Sequence, residues 1–179
     1  MELTIEDLTK YFSRRLAKSP YNALGFGDGS LGGNYTFDEV VQQLDSMRNL
    51  YPALISSKFS IGNTIQRRDI WAVRLTKNPD ISSSKPEVLY TALTHAREPQ
   101  GMMNLIYFMW HLLQNYGSDP EATYLVDNRQ LYFVPVINAD GYEANRRISP
   151  TGGGMRRKNM KDVVTDSDPY GVDLNRNYG

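Results

Sequence analysis

The stretch EVLYTALTHAREPQGMMNLIYFMWHLL, Glu87 to Leu113, decides how this chain folds. EVLYTAL is an apolar run of strand length and reads as a buried strand. MMNLIYFMWHLL lies within a helix expected from about Glu98 to Tyr116, with Met102, Leu105, Ile106, Met109, Leu112 and Leu113 on one stripe. The methionines of that stripe read as core packing. Between strand and helix, THAREPQG puts His95, Arg97 and Glu98 within four residues. The C-terminal end of a strand leading into a helix is where α/β proteins place their sites. Imidazole nitrogen and carboxylate oxygen both suit zinc, and His-x-x-Glu can aim the two at one ion while the chain turns between them. Taken alone, a His with a nearby Glu is more often a satisfied polar pair. Here an Arg lies inside the pair, and Pro99 follows, a residue that fits a helix's first turn.

Upstream of this corner, Thr36 and Glu39 have capping-box spacing. Val40, Val41, Leu44, Met47 and Leu50 then follow at helical period, with Pro52 just beyond. LISSKFSIG and DIWAVRLT read as strands, joined by NTIQRR in an antiparallel hairpin. Downstream, DPEATYLVDN reads as a short helix and QLYFVPVIN as another apolar strand. ADGYEANRR reads as a polar turn, SPTGGGMRRKNMKDVVTDSDPYG as a long irregular loop, and VDLNRNYG closes the chain. ELTIEDLTKYFSRRLA is a candidate short helix and GFGDGSLGG a linker, so residues 1–33 read as an N-terminal extension. Alternation of apolar strands with helices predicts an α/β fold with a mixed central sheet flanked by helices.

The chain has 179 residues, with 20 Lys+Arg against 20 Asp+Glu. A zero formal charge argues against a nucleic-acid binder, whose domains carry a basic excess. No run of about 18 apolar residues is present, so no membrane span is expected. The absence of cysteine excludes disulfides and thiolate zinc ligands and leaves the compartment open.

Two further polar clusters remain. Arg156, Arg157, Lys158 and Asn159 lie in the glycine-rich loop; Asp173, Asn175 and Arg176 lie near the end. Guanidinium groups grip carboxylates bidentately. A metal beside several arginines, in a chain without net charge, suits a substrate with one localised negative group.

Together THAREPQG, NADGYEANRR, GGGMRRKN and GVDLNRNYG resemble the zinc metallocarboxypeptidases, the funnelin-type carboxypeptidase A/B/T family, and its bacterial members in particular. The resemblance runs from about Tyr35 to Gly179. It implies an α/β/α sandwich and removal of C-terminal residues from peptides. Residues 34–179 would be the N-terminal part of the catalytic domain. His95 and Glu98 would be two of three zinc ligands, and Asp173 would accept from the ring N–H of His95. Arg97 would bind substrate upstream of the scissile bond, Arg157 would hold the oxyanion, and Asn175 and Arg176 would clamp the terminal carboxylate. Two departures are visible, Ala139 where many relatives have Pro and Met155 where an aromatic is common.

The family supplies its third ligand, a His, and its general-base Glu beyond the last motif seen here. His111 does not replace that ligand, because 13 residues of helix put it about 20 Å from Glu98. It is expected to be a structural or surface histidine. The chain therefore reads as a truncated catalytic domain, inactive alone, with an open sheet edge through which it self-associates. The expected partners are peptide or protein C-termini, and the expected location, by resemblance, is extracellular or periplasmic. Two rival functions share the scaffold. One is a zinc amidohydrolase acting on acyl-amino acids or cell-wall peptides; the other is a non-catalytic peptide-binding module.

Overall fold

The computed structural model describes residues 26–166 and 169–178. The candidate helix at residues 2–17 lies outside them. The elements run α1 (Phe37–Leu50), β1 (Phe59–Asn63), β2 (Asp69–Leu75), β3 (Glu87–Thr91), α2 (Pro99–Asn115), α3 (Pro120–Asn128), β4 (Gln130–Val134) and α4 (Ala139–Ile148). A 3-10 turn at Leu174–Arg176 ends the series.

The capping box forms as its spacing predicts. Glu39 N–H donates to Thr36 Oγ1 at 3.2 Å, and Thr36 N–H donates to the Glu39 carboxylate at 2.7 Å. Val40, Leu44 and Met47 of α1 are buried, while Leu50, one turn further, faces solvent. In α2 the buried set is Met102, Met103, Ile106, Met109, Trp110, Leu112 and Leu113, so the methionines do pack the core.

The sheet has the order β1-β2-β4-β3. β1 and β2 form the antiparallel hairpin, β2 pairs antiparallel with β4, and β3 pairs parallel with β4. A parallel neighbour needs a crossover, which α2 and α3 provide. Side chains alternate across each strand. On one face Val73, Leu75, Leu131 and Phe133 join the helices in a single core. Tyr90 of β3 and Phe133 of β4 stack at 5.1 Å there, and Phe108 of α2 meets both edge-on.

The other face is open. Phe59, Ile61 and Leu89 are exposed on it, and Tyr178 from the end of the chain lies against it. Among the described residues no helix covers this face, and none is long and apolar enough to cross a membrane.

Two readings are corrected. ADGYEANRR is a helix, α4, and not a turn. Asn138 caps it by accepting from Gly141 N–H at 3.1 Å, and Tyr142 buries its ring while its hydroxyl donates to Tyr35 O at 2.7 Å. The high polar content hid the period, because Asp140, Glu143 and Asn145 are buried in hydrogen bonds and do not face water. The glycine-rich stretch before Tyr35 does not behave as a loose linker in its described part. Leu31 is buried in the core, and Phe26 packs edge-on to Tyr35 and Tyr107.

Candidate functional site

The parallel strands β3 and β4 end on the same side of the sheet, and the site is built where they end. At the close of β3 the chain turns through Leu93, whose φ of +52° lies in the left-handed region. A buried branched residue there costs of order 1 kcal/mol or more, and such outliers gather at functional sites. The turn continues with Glu98 N–H donating to His95 O at 3.1 Å. Helix α2 then starts at Pro99 with no side-chain cap. The Glu98 side chain, which could have capped it, is directed to His95.

His95 is buried between two carboxylates. Its Nδ1 lies 3.0 and 3.1 Å from the two Glu98 oxygens, and its Nε2 lies 3.1 Å from Asp173 Oδ1. A carboxylate only accepts. With the ring proton on Nε2, held by Asp173, the Nδ1 lone pair faces Glu98. Two lone-pair donors facing each other form a seat for a cation. Tetrahedral zinc with ligands at 2.0–2.2 Å sets neighbouring donors about 3.3 Å apart, close to the spacing seen.

Asp173 reaches this position through the irregular loop. Asn159 N–H donates to Val172 O at 3.0 Å, and Val172 N–H returns to Asn159 Oδ1 at 2.8 Å, so the loop doubles back. Gly171 makes this possible. Its φ is +115°, and a Cβ there would lie 2.2 Å from Asn159 O. The other end of the loop is tied to the corner. Ala96 N–H donates to Arg157 O at 3.1 Å, and Asn138 Nδ2 reaches the same oxygen at 3.3 Å. Asn145, buried on α4, donates to Ala96 O and Arg156 O at 3.0 and 2.9 Å and accepts from Arg156 N–H at 2.7 Å.

Arg157 donates from Nε to Asp173 Oδ2 at 2.9 Å. Its two terminal nitrogens make no hydrogen bond among the described residues. Burial pulls the Asp173 carboxyl upward, but bonds from Arg157, the Asn175 amide and His95 outweigh it and hold the group below the usual aspartate range.

His95, Glu98, Arg157 and Asp173 are thus brought into one cluster. Asn175 and Arg176 sit just beyond Asp173 on the exposed 3-10 turn, where among the described residues the Arg176 guanidinium bonds the Asn175 carbonyl and no acidic group. Arg97 is exposed, without an ion pair among the described residues, and lines a neighbouring cavity. His111 is a surface residue beside Tyr107 and Asn115. Sequence reasoning missed Asn138 and Asn145, which hold the loop to the corner. Asn138, four residues ahead of Tyr142 in a Tyr142-Asn145-Ile148 spacing, was the available signal of a capped helix.

A zinc carboxypeptidase family profile matches residues 40–179. The chain belongs to the zinc carboxypeptidase family. The family's cofactor is zinc, and its named relatives are carboxypeptidases, hydrolases of the metalloprotease kind. A zinc carboxypeptidase of Saccharothrix mutabilis subsp. capreolus is 31% identical over 147 residues, covering 82% of this chain and 32% of that protein. The fold of thrombin-activatable fibrinolysis inhibitor superposes with a TM-score of 0.72 at 22% identity, over 98% of this chain and 41% of that one. The carboxypeptidase A of Helicoverpa armigera gives 0.68 at 24%, over 99% and 42%. The chain therefore spans about a third of the length of the Saccharothrix relative and two fifths of these structures.

Proposed function

We propose that this chain carries the first part of a metallocarboxypeptidase catalytic domain, with His95 and Glu98 as two of its zinc ligands. The observation that carries the proposal is the line Asp173–His95–Glu98. It fixes one imidazole nitrogen on a carboxylate and turns the other towards a second carboxylate at 3.0 Å. Metal-binding histidines are oriented in this way, by a hydrogen bond to the nitrogen away from the metal.

When bound, zinc supplies Lewis-acid polarisation of a carbonyl and acidification of water. The chain's own residues do the rest. Asp173 keeps the ring proton on the far side of His95. It also pins Arg157 by Nε, leaving the terminal guanidinium nitrogens to donate to an oxygen that gains charge during attack on the scissile carbonyl. Donors fixed before the reaction are what makes such stabilisation large. Asn175 and Arg176 have no anionic partner among the described residues and serve as the clamp for a peptide's terminal carboxylate. Arg97 contacts the peptide upstream.

The chain by itself is proposed to be inactive. Among the described residues no three His, Cys, Asp or Glu side chains form a metal cage, whereas catalytic zinc takes three protein ligands. The open sheet face and the unpaired edge of β3 support self-association or docking of a further polypeptide. An extracellular or periplasmic location rests on the family alone; fractionation of the source cells tests it.

Zinc stoichiometry tests the site. After dialysis against micromolar zinc and then buffer, the 179-residue chain is expected to lose its metal and to leave peptide C-termini intact. One tightly held zinc per chain, or efficient release of C-terminal residues, would overturn the inactivity.

A further inference from the structure

A cavity of about 410 Å³ opens where the irregular loop folds back beside the end of α4. Three consecutive cations, Arg156, Arg157 and Lys158, line it together with one thioether, Met155. Much of its charge is already committed. Arg147 grips both oxygens of Asp166, and the Arg156 guanidinium donates to the carbonyls of Asp166 and Tyr170. Two groups keep donor capacity among the described residues. The Arg157 guanidinium is bonded through Nε alone, to Asp173, and Lys158 Nζ reaches Pro169 O only at 3.5 Å.

Met155 stands apart from the other methionines of the described residues. It is 70% exposed, whereas Met47, Met102, Met103, Met109 and Met160 are buried. Met103 is further engaged, its sulfur accepting from Tyr35 N–H at 3.3 Å. A peroxide meets an exposed sulfur directly and a buried one only through local opening of the fold. The thioether is a weak acceptor, and oxidation turns it into a polar sulfoxide. In that step sulfur gives an electron pair to one oxygen of hydrogen peroxide. The O–O bond breaks, an S–O bond forms, and the second oxygen leaves as water with both protons. The backbone next to the sulfur is fixed. Asn145 holds Arg156 N–H and O, and Ala96 N–H holds Arg157 O. Met155 and Arg157 lie two apart in a run with neither helix nor turn, and both line the same cavity.

We infer that Met155 is an oxidation site for peroxides, and that its sulfoxide oxygen captures the terminal N–H groups of Arg157. The consequence rests on the carboxypeptidase reading: the captured donors are those assigned to the oxygen of the scissile carbonyl, so oxidation switches them off. Asp173 keeps its hold on Arg157 Nε and on His95, and the proposed metal ligands are left as they are. A sulfoxide is returned to the thioether by methionine sulfoxide reductases, which makes the switch reversible.

The test uses the full 179-residue chain and hydrogen peroxide, and needs neither zinc nor turnover. Tryptic cleavage after Arg147 and Arg156 isolates Met155 on one peptide, whose mass reports the added oxygen. Met155 is expected to oxidise at least about tenfold faster than Met102, Met103, Met109 and Met160, because those four wait on local opening. Nitrogen NMR of the arginine side chains reads the capture. Hydrogen exchange at the Arg157 terminal nitrogens is expected to slow about tenfold on oxidation, since a hydrogen-bonded N–H exchanges only when the bond opens. Met155→Gln, which carries a standing amide oxygen on a similar stem, should show the slowing without peroxide. Met155→Leu should show none with it. Oxidation of the buried methionines as fast as Met155 would overturn the oxidation site. A fully formed Met155 sulfoxide with Arg157 exchange unchanged would overturn the capture and leave the carboxypeptidase reading standing. Failure of that reading is seen separately, in the zinc and peptide measurements, and would not alter these signals.

Discussion

Asp173 and His95 are 78 residues apart in the chain, and Oδ1 of the first sits 3.1 Å from Nε2 of the second. One carboxylate thereby engages a buried imidazole at the nitrogen away from Glu98 and, through its other oxygen, holds Arg157. Asp173→Ala frees both. Zinc affinity, read by competition with a chromophoric chelator, is expected to fall 10- to 100-fold. Nitrogen NMR of His95 should show the Nε2–H tautomer in the parent chain and a mixture in the variant. An unchanged tautomer would remove Asp173 from the site.

Gly171→Ala tests how the loop delivers that carboxylate. The added methyl meets a backbone oxygen, Asn159 O, and the positive φ strains any side chain. A loss of about 2–4 kcal/mol in urea unfolding is expected. Amides around Asn159 and Val172 should lose exchange protection first.

Asn145→Ala removes three hydrogen bonds at a buried position, those it donates to Ala96 O and Arg156 O and the one it accepts from Arg156 N–H. Net losses near 1 kcal/mol per bond give about 3 kcal/mol for the three. The measurement is again equilibrium unfolding. A loss below about 1 kcal/mol would mean that the loop is not held through this residue.

Arg147 grips both oxygens of Asp166, at 2.5 and 2.7 Å, and ties the loop to α4. Those hydrogen bonds hold the Asp166 carboxyl below the ordinary range, against an upward pull from partial burial. A depressed native pKa stabilises the fold in full above the unfolded value, about 3.9, and the contribution is lost as pH falls through the native value. Cleavage of the loop by pepsin is therefore expected to accelerate below about pH 4. Asp166→Asn should flatten that dependence; an identical profile in the variant would assign the opening to other groups.

The uncovered sheet face carries Leu89 at 64% and Ile61 at 56% exposure. Apolar surface next to an unpaired strand invites association. Sedimentation is expected to show the chain as an oligomer, and Leu89→Lys with Ile61→Lys to shift it towards monomer. A stable monomer in the parent chain at micromolar concentration would count against the proposed self-association.

Local signals accounted for the helices whose polar and apolar residues separate cleanly. The α1 box and the α2 stripe needed only neighbours three and four residues away. The strands were placed by their apolar runs, and NTIQRR correctly joined two of them, but EVLYTAL reads as buried whereas β3 is exposed at Glu87, Val88, Leu89 and Thr91, because no element among the described residues covers that face. Helix α4 was not legible. Its Asp140 is buried because it accepts from Thr64, Gln66 and Arg68, more than 70 residues earlier in the chain. No local pattern announces a polar residue satisfied at that distance.

From sequence alone, His95 and Glu98 were a candidate pair, since three residues and a turn suffice to face them. The resemblance extended that to Asp173 and Arg157. Only the tertiary structure decided that Asp173 takes Nε2 and leaves Nδ1 to Glu98, because that choice depends on Gly171 letting one backbone segment touch another. Only it decided that Asn145 and Asn138 hold the loop, and that one sheet face lies open. Hydrogen-bond partners far apart in sequence carry no period, and a sheet's uncovered side is a property of what packs against it, not of the strands themselves.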